Sequence, residues 1–232
     1  WAFNELFRRI VQRELQPGAR VTEIELCNML GVSRTPLRAA IQRLQIAGLV
    51  IRHRNRELRI APMSVDEMVR LSMLREVLEG LVARNVATRF ATGKISLKRL
   101  EKILDDMTAI DPTKGVPLIL NLGREFHREL SELSGDPLTA RMLGQVMMSF
   151  ERYRHLVDFD TDRAVDILLE HQAIMATIMR GDGDAAEREA RKHLRNARAV
   201  YSQRLSIVTE LSGELTQKSP IISMSRKSKR AQ

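Results

Sequence analysis

Residues 22 to 48, TEIELCNMLGVSRTPLRAAIQRLQIAG, constrain the fold more than any other stretch, because they spell two short amphipathic helices joined by a tight turn. In the first, Ile24, Leu26, Met29 and Leu30 recur at near-helical spacing, with Thr22 as N-cap and Glu25 completing a capping box. Gly31 stops that helix and Val32 plugs the corner. Ser33 is placed to cap the second helix, and Pro36 is tolerated in its first turn, where no intrahelical N–H is needed. Leu37, Ile41 and Leu44 bury one face and leave Arg34, Arg38, Gln42, Arg43 and Gln45 mainly outside. Such a helix suits the DNA major groove, where guanidinium forks pair bidentately with guanine, while Ser33, Thr35 and the helix N-terminus suit phosphate. The plainer alternative is an exposed arginine-bearing helix of an ordinary bundle.

Context favours the helix-turn-helix. Leu49-Val50-Ile51 and Leu58-Arg59-Ile60 are β-prone runs separated by RHRNRE, which predicts a hairpin wing carrying Arg52, Arg54 and Arg56. Residues 15 to 50, LQPGARVTEIELCNMLGVSRTPLRAAIQRLQIAGLV, closely resemble the DNA-binding domain of GntR-family bacterial transcription regulators, whose signature runs PG, GVSRTP, R, then GLV. The resemblance implies a homodimeric regulator on double-stranded operator DNA. Arg34 and Arg38 would face bases, Ser33, Thr35 and the wing would hold the backbone, and Arg43 would add a further contact. Ile24 stands where the family usually has an arginine, and Glu57 where it often has a wing glycine.

Charge follows the same division. Residues 1 to 63 hold eleven Lys and Arg against five Asp and Glu, residues 64 to 210 hold 22 against 23, and residues 211 to 232 hold five against one. Basic charge thus sits on the expected DNA reader and the tail, a defined footprint rather than general adhesion to polyanions. One cysteine, Cys27, excludes an internal disulfide and fits a reducing cytoplasm. No apolar run approaches the roughly 18 residues of a membrane span, and WAFNELFRRI lacks the form of a secretory signal, so no membrane partner is expected.

The fold class expected is mainly α: a winged helix-turn-helix over 1–63 with a small β-hairpin wing, an all-helical effector and dimerisation bundle over 64–211, and a disordered basic tail over 212–232. Helices are predicted over 2–14, 65–91, 95–109, 117–134, 137–157, 161–180 and 184–210, with Asp111-Pro112 and Gly115 as breaks. In the second of these, Met68, Leu71, Leu74, Leu78, Leu81 and Val82 form the predicted buried face.

His127, His171 and His193 fall on three different predicted helices, and imidazoles from separate helices can converge on a divalent metal. By spacing alone the signal is weak, since a histidine on a helix is more often a structural or solvated residue. EFHRELSELSGDPL (125 to 138), EHQAIMATIMRGDGDAA (170 to 186), RKHL (191 to 194) and LREVLEGLVAR (74 to 84) resemble the ligand domain of the FadR branch of the same family. That resemblance implies a small, carboxylate-type effector and a zinc or nickel ion on the three histidines, with an aspartate four residues before the first as a further ligand. Here that position is Gly123. Either metal binds through three histidines with an open position for the effector, or the pocket holds an organic ligand without metal. Arg75 is a candidate effector contact or, equally, a surface partner of Glu79, while Arg154 and His155 read as a solvated face. The whole implies an effector-responsive repressor and not an enzyme. The alternatives are a DNA binder whose bundle serves only dimerisation, and a metal-dependent hydrolase, for which no general base is identifiable.

Overall fold

A computed structural model describes residues 1–53, 57–154 and 159–212. The expected wing tip with Arg54 and Arg56, His155, and the tail beyond residue 212 lie outside the described residues. The first part comprises α1 (Ala2–Val11), β1 (Arg20–Val21), α2 (Glu23–Leu30), α3 (Arg34–Ile46), β2 (Val50–Arg52) and β3 (Leu58–Ile60). The second comprises α4 (Val65–Ala91), α5 (Lys98–Thr108), α6 (Pro112–Leu133), α7 (Pro137–Arg154), α8 (Thr161–Met179) and α9 (Gly183–Ser212). Among the described residues no helix is long and apolar enough to cross a membrane.

Local chemistry explains the reader. Thr22 and Glu25 form the capping box, Thr22 Oγ1 accepting from Glu25 N–H at 3.2 Å and Glu25 Oε2 accepting from Thr22 N–H at 2.8 Å. Gly31 closes α2 in the left-handed region at φ 65°, a conformation that favours glycine. Ser33 is the N-cap of α3, yet its hydroxyl makes no capping bond, contrary to the sequence expectation. Leu37, Ile41 and Leu44 are buried with Leu6, Leu26 and Leu30, whereas Ile24 and Met29 are exposed, because α2 is packed along one edge only. The wing is a three-stranded antiparallel sheet in the order β1-β3-β2, with Ile51 opposite Arg59 and Arg20 opposite Arg59 on the other side. The short strand β1 was not foreseen: two residues carry too little pattern to register as a strand.

Ser64 caps α4, its hydroxyl accepting from Glu67 N–H. Asp111 and Pro112 begin α6 rather than interrupting the chain, since the carboxylate accepts from Thr113 N–H and proline suits a first turn; Gly115 is a kink inside that helix. The central α4 packs on α9, α7, α8 and α6. Met68 and Val82 are buried as expected, but Leu74 and Leu81 are not. Together with Met73 and Val77 they form an exposed apolar stripe. A helix buried on most sides has more than one apolar face, so hydrophobic spacing alone cannot tell the inner stripe from the outer one.

The two parts are joined through α7. Ser149 Oγ donates to the Ala47 carbonyl at 2.6 Å, and Arg152 donates to the Ala61 carbonyl at 3.2 Å. Arg152 also pairs with Glu67, whose Oε2 accepts from Tyr153 Oη at 2.7 Å. Phe150, Tyr153, Met63, Met68 and Tyr201 pack around this clamp. Arg152 retains 2% of its side-chain exposure and Glu67 38%, so the two ends of the pair are not equivalent. Removing the carboxylate strands a buried guanidinium, whereas removing the guanidinium leaves a carboxylate that water reaches. Urea denaturation of Glu67→Ala should therefore show a loss of about 3 kcal/mol, and Arg152→Met a smaller loss of about 1 to 2 kcal/mol. The reverse order would remove the clamp from the account of stability.

Candidate functional site

At the reader, α3 presents its N-terminal end outward. Arg34 and Arg38 are exposed there, as are Thr35 and Ser33, and Gln42 follows Arg38 one turn on. Arg38 and Arg52 meet on one carboxylate: Glu23 Oε2 accepts from Arg38 Nε at 2.9 Å, and Glu23 Oε1 lies 3.4 Å from Arg52. The pairing with Arg38 holds the Glu23 carboxyl below the usual range. Glu23 thus fixes the recognition helix against the wing, a role invisible in sequence because its partners come from two later elements. Glu57, where a wing glycine was expected, pairs with Arg20 and Arg59 and ties β1 to β3. Arg43 departs from expectation. Its guanidinium carbon lies 3.9 Å from the Phe3 ring centroid, so it packs α3 on α1 in the last turn, away from the reading end.

The second site is built by α4, α6, α8 and α9. His127, His171 and His193 come together with one ring nitrogen each within 4.8 Å of the others. Every Nδ1 is engaged from behind. His127 Nδ1 stands 2.7 Å from Glu79 Oε2, His193 Nδ1 donates to Glu170 Oε2 at 2.6 Å, and His171 Nδ1 donates to the Ile167 carbonyl at 2.6 Å. These contacts place the proton on Nδ1 and leave Nε2 as the free lone pair. The Nε2 atoms of His127 and His193 then face each other at 3.1 Å, and His171 Nε2 is buried without a hydrogen-bond partner. Facing lone pairs and an orphaned nitrogen call for a cation among them, so the residues fit a divalent metal.

The carboxylates are themselves anchored. Arg75 Nε donates to Glu79 at 2.9 Å, and Arg163 grips Glu170 with two bonds of 2.8 and 2.9 Å. Burial raises the Glu170 carboxyl, but bonds from His193 and Arg163 outweigh it and bring it down to about 2. Burial likewise opposes the Glu79 charge, which Arg75 and His127 keep well below the ordinary value. Arg75 is therefore both things the sequence allowed, a partner of Glu79 and a cavity cation, except that the pair is buried and not on the surface. Arg154 corrects the expectation of a solvated face: it is mostly buried and lines the same cavity. The cavity measures about 110 Å³, and a neighbouring cleft of about 570 Å³ shares Arg124, His127 and Arg154 with it.

Gly123 faces the histidines. A Cβ built there would lie 3.4 and 3.5 Å from His171 Cε1 and Nε2, ordinary contact distances, so the space beside that orphaned nitrogen is not filled by a side chain from position 123. Sequence reasoning missed Arg163 and the support that Glu170 gives His193; it named Glu79 only as a surface partner of Arg75, and Arg154 only as part of a solvated face. Only the i, i+4 spacing of Arg75 and Glu79 offered a signal, since the other partners are brought together by packing.

A winged helix-turn-helix joined to an all-helical ligand domain defines a DNA-binding transcription regulator. Residues 2–60 match the bacterial regulatory proteins of the gntR family and residues 70–196 match the FCD domain. The chain belongs to the GntR family, in its FadR-type branch. It is 26% identical over 197 residues to the HTH-type transcriptional repressor RspR of Escherichia coli K12, covering 82% of this chain and 85% of the relative. It is 28% identical over 171 residues to the Nta operon transcriptional regulator of Aminobacter aminovorans, covering 67% and 80%. The fold is shared with E. coli McbR/YncC, at TM-score 0.67 and 18% identity over 88% of this chain and 96% of that one. A GntR regulator from Rhodococcus sp. RHA1 gives TM-score 0.63 and 23% identity over 88% and 95%. The family and the relatives are regulators, not enzymes.

Burial, with repulsion from the neighbouring imidazoles, pushes His171 well below its usual 6.5, and burial also lowers His193. In the unfolded chain both regain the ordinary value. As pH falls below 6.5 the unfolded state takes up protons that the fold refuses, so stability is full above that pH and declines toward the folded values. Metal-stripped protein should lose up to about 1.4 kcal/mol per pH unit for each histidine. Urea midpoints measured from pH 7.5 to 5 check this, and a flat profile would contradict the buried neutral pair.

Proposed function

We propose that this chain is a homodimeric, effector-responsive repressor of the bacterial cytoplasm, in which residues 1–63 read operator DNA and residues 64–211 bind a small carboxylate beside a metal ion. The observation that carries this reading is the convergence of one ring nitrogen from each of three histidines inside a cavity also lined by Arg75, Arg124, Arg154 and Arg163. The printed repressor name of the E. coli relative supports the sign of regulation. His127, His171 and His193 would hold zinc or nickel, whose contribution is a Lewis-acidic anchor for an anion. Arg75 would contact the effector, and the residues behind the triad fix which nitrogen each imidazole offers.

At the DNA, Arg34 and Arg38 are the proposed base readers, Ser33 and Thr35 the phosphate contacts, and Arg52 the wing's contact beside them. Ser33 supports this assignment because its hydroxyl is not consumed by capping its own helix. Arg54 and Arg56 remain part of the proposal from sequence, and Arg43 is set aside for its packing on Phe3. Two half-sites require two readers held at fixed separation. The exposed stripe of Met73, Leu74, Val77 and Leu81 on α4 is the proposed contact with the second copy.

On a mapped operator, Arg34→Ala and Arg38→Ala should each lose about 1 to 3 kcal/mol of discrimination between specific and random duplex at fixed salt. Unchanged discrimination in fluorescence anisotropy would defeat the assignment. Val77→Glu should convert the dimer to monomer in sedimentation velocity while leaving helical content intact. A variant that stays dimeric would move the interface elsewhere. Carboxylate addition that leaves operator affinity unaltered, with metal present, would reduce the second domain to dimerisation alone.

A further inference from the structure

We propose that Glu23 is the positioning residue for base reading by Arg38, holding the guanidinium at one edge so that its outer fork is presented to a guanine. This rests on Arg38 reading bases under the proposed function and adds the residue that sharpens that reading. Glu23, Arg38, Gln42 and Arg52 line one concave surface between α3 and the wing, the surface a duplex would meet. A carboxylate there works against DNA binding in general, since it faces phosphates of its own sign.

The contact is made to one particular edge of the arginine. Glu23 Oε2 accepts from Arg38 Nε at 2.9 Å, while Arg38 Nη1 and Nη2 make no hydrogen bond among the described residues. A guanidinium bound at Nε keeps both terminal nitrogens as a fork, the edge that pairs with guanine O6 and N7. The Arg38 side chain is 62% exposed and that of Glu23 only 20%, so a sheltered carboxylate holds an arginine whose end projects into solvent.

Glu23 is itself held in place. It is the first residue of α2, beside the Thr22–Glu25 capping box, where a helix N-terminus favours negative charge. Its second oxygen lies 3.4 Å from Arg52, so the recognition helix and the wing meet the carboxylate from two sides. An unheld arginine samples many rotamers that binding must freeze, whereas a fork already held through Nε gives up less freedom when it meets the base. Repulsion of phosphate acts alike on every sequence, but a held fork matters only where a guanine receives it. Loss of Glu23 therefore tightens binding to random duplex and weakens the preference for one base pair.

Fluorescence anisotropy of the full chain at fixed salt tests this on a mapped operator, on variants altered at one base pair in each half-site, and on random duplex. Arg38→Ala identifies the pair that Arg38 reads, as the one whose variants the altered protein no longer tells apart. Glu23→Ala should lower the preference at that pair by about five-fold or more, though by no more than Arg38→Ala does, and leave the other pairs unaltered while affinity for random duplex rises. In an Arg38→Ala background the same substitution should not change preference further. Glu23→Gln keeps an oxygen of the same reach but a weaker, uncharged acceptor, so it should lose part of the preference, and it serves if Glu23→Ala does not fold. A pair flattened by Arg38→Ala that stays sharp in both Glu23 variants overturns the role of Glu23 alone. Preference lost evenly across all pairs overturns it too, since a general loosening of the domain would do that. Arg38→Ala with every preference intact withdraws the base reading on which the role depends.

Discussion

Two buried carboxylates hold the second domain's site together. Glu79 and Glu170 each lie between an arginine and a histidine, giving Arg75–Glu79–His127 and Arg163–Glu170–His193. A lone carboxylate at such depth would protonate or destabilise the fold; here each is neutralised by a guanidinium and aimed at an Nδ1. The consequence is a fixed tautomer at both imidazoles, and with it two Nε2 lone pairs directed at one point. His171 reaches the same state more cheaply through the carbonyl of its own helix. The triad is thus set by its supporting residues before any ligand arrives.

Both arginines of these relays also line the cavity, so whatever pairs with them there touches the triad's supports as well. From that point the contacts lead on through α7. Phe150 lies under Arg75, with the guanidinium carbon 4.8 Å from the ring centroid, and Arg154 lines the cavity one turn later. Ser149, Arg152 and Tyr153 of the same helix hold Ala47, Ala61 and Glu67. Under the proposed function α7 is therefore the element whose position both sites bias. A ligand can shift the reader only by the difference in its affinity for the two positions of that helix, so the buried clamp sets the scale of any response.

The reader was legible in sequence because its signals are local. Capping box, stop glycine, first-turn proline and hydrophobic spacing all act within a few residues, and the structure follows them. What escaped was set by packing. Glu23 joins Arg38 to Arg52 across three elements, and Arg43 turns to Phe3 because α1 lies against the end of α3. In the second domain the three histidines could be named from sequence with the family resemblance, but not the groups behind them. Glu170 neighbours His171 in the chain yet serves His193, since adjacent helical residues point in different directions. Leu74 and Leu81 read as core for a related reason, that a central helix carries apolar residues on faces with different neighbours.

The same geometry separates sensing from hydrolysis. A metal-dependent hydrolase needs a base on the side of the metal where water and substrate meet. Among the described residues no carboxylate lines the cavity of about 110 Å³, Glu125, Glu132 and Glu151 line only the adjoining cleft, and Glu79 and Glu170 are committed behind the histidines, with Glu170 held charged down to about pH 2. Arginines are far too basic to serve in their place. What the cavity offers an incoming molecule is guanidinium donors, three of them already paired with carboxylates, and no group on that side to act as a base, which favours holding a ligand over turning it over. That is the chemistry a sensor needs. Under the proposed function an anion held by Arg75, Arg154 and the triad would be gripped by groups on α4, α6, α7, α8 and α9 at once, and its arrival would bear on the packing that positions the reader.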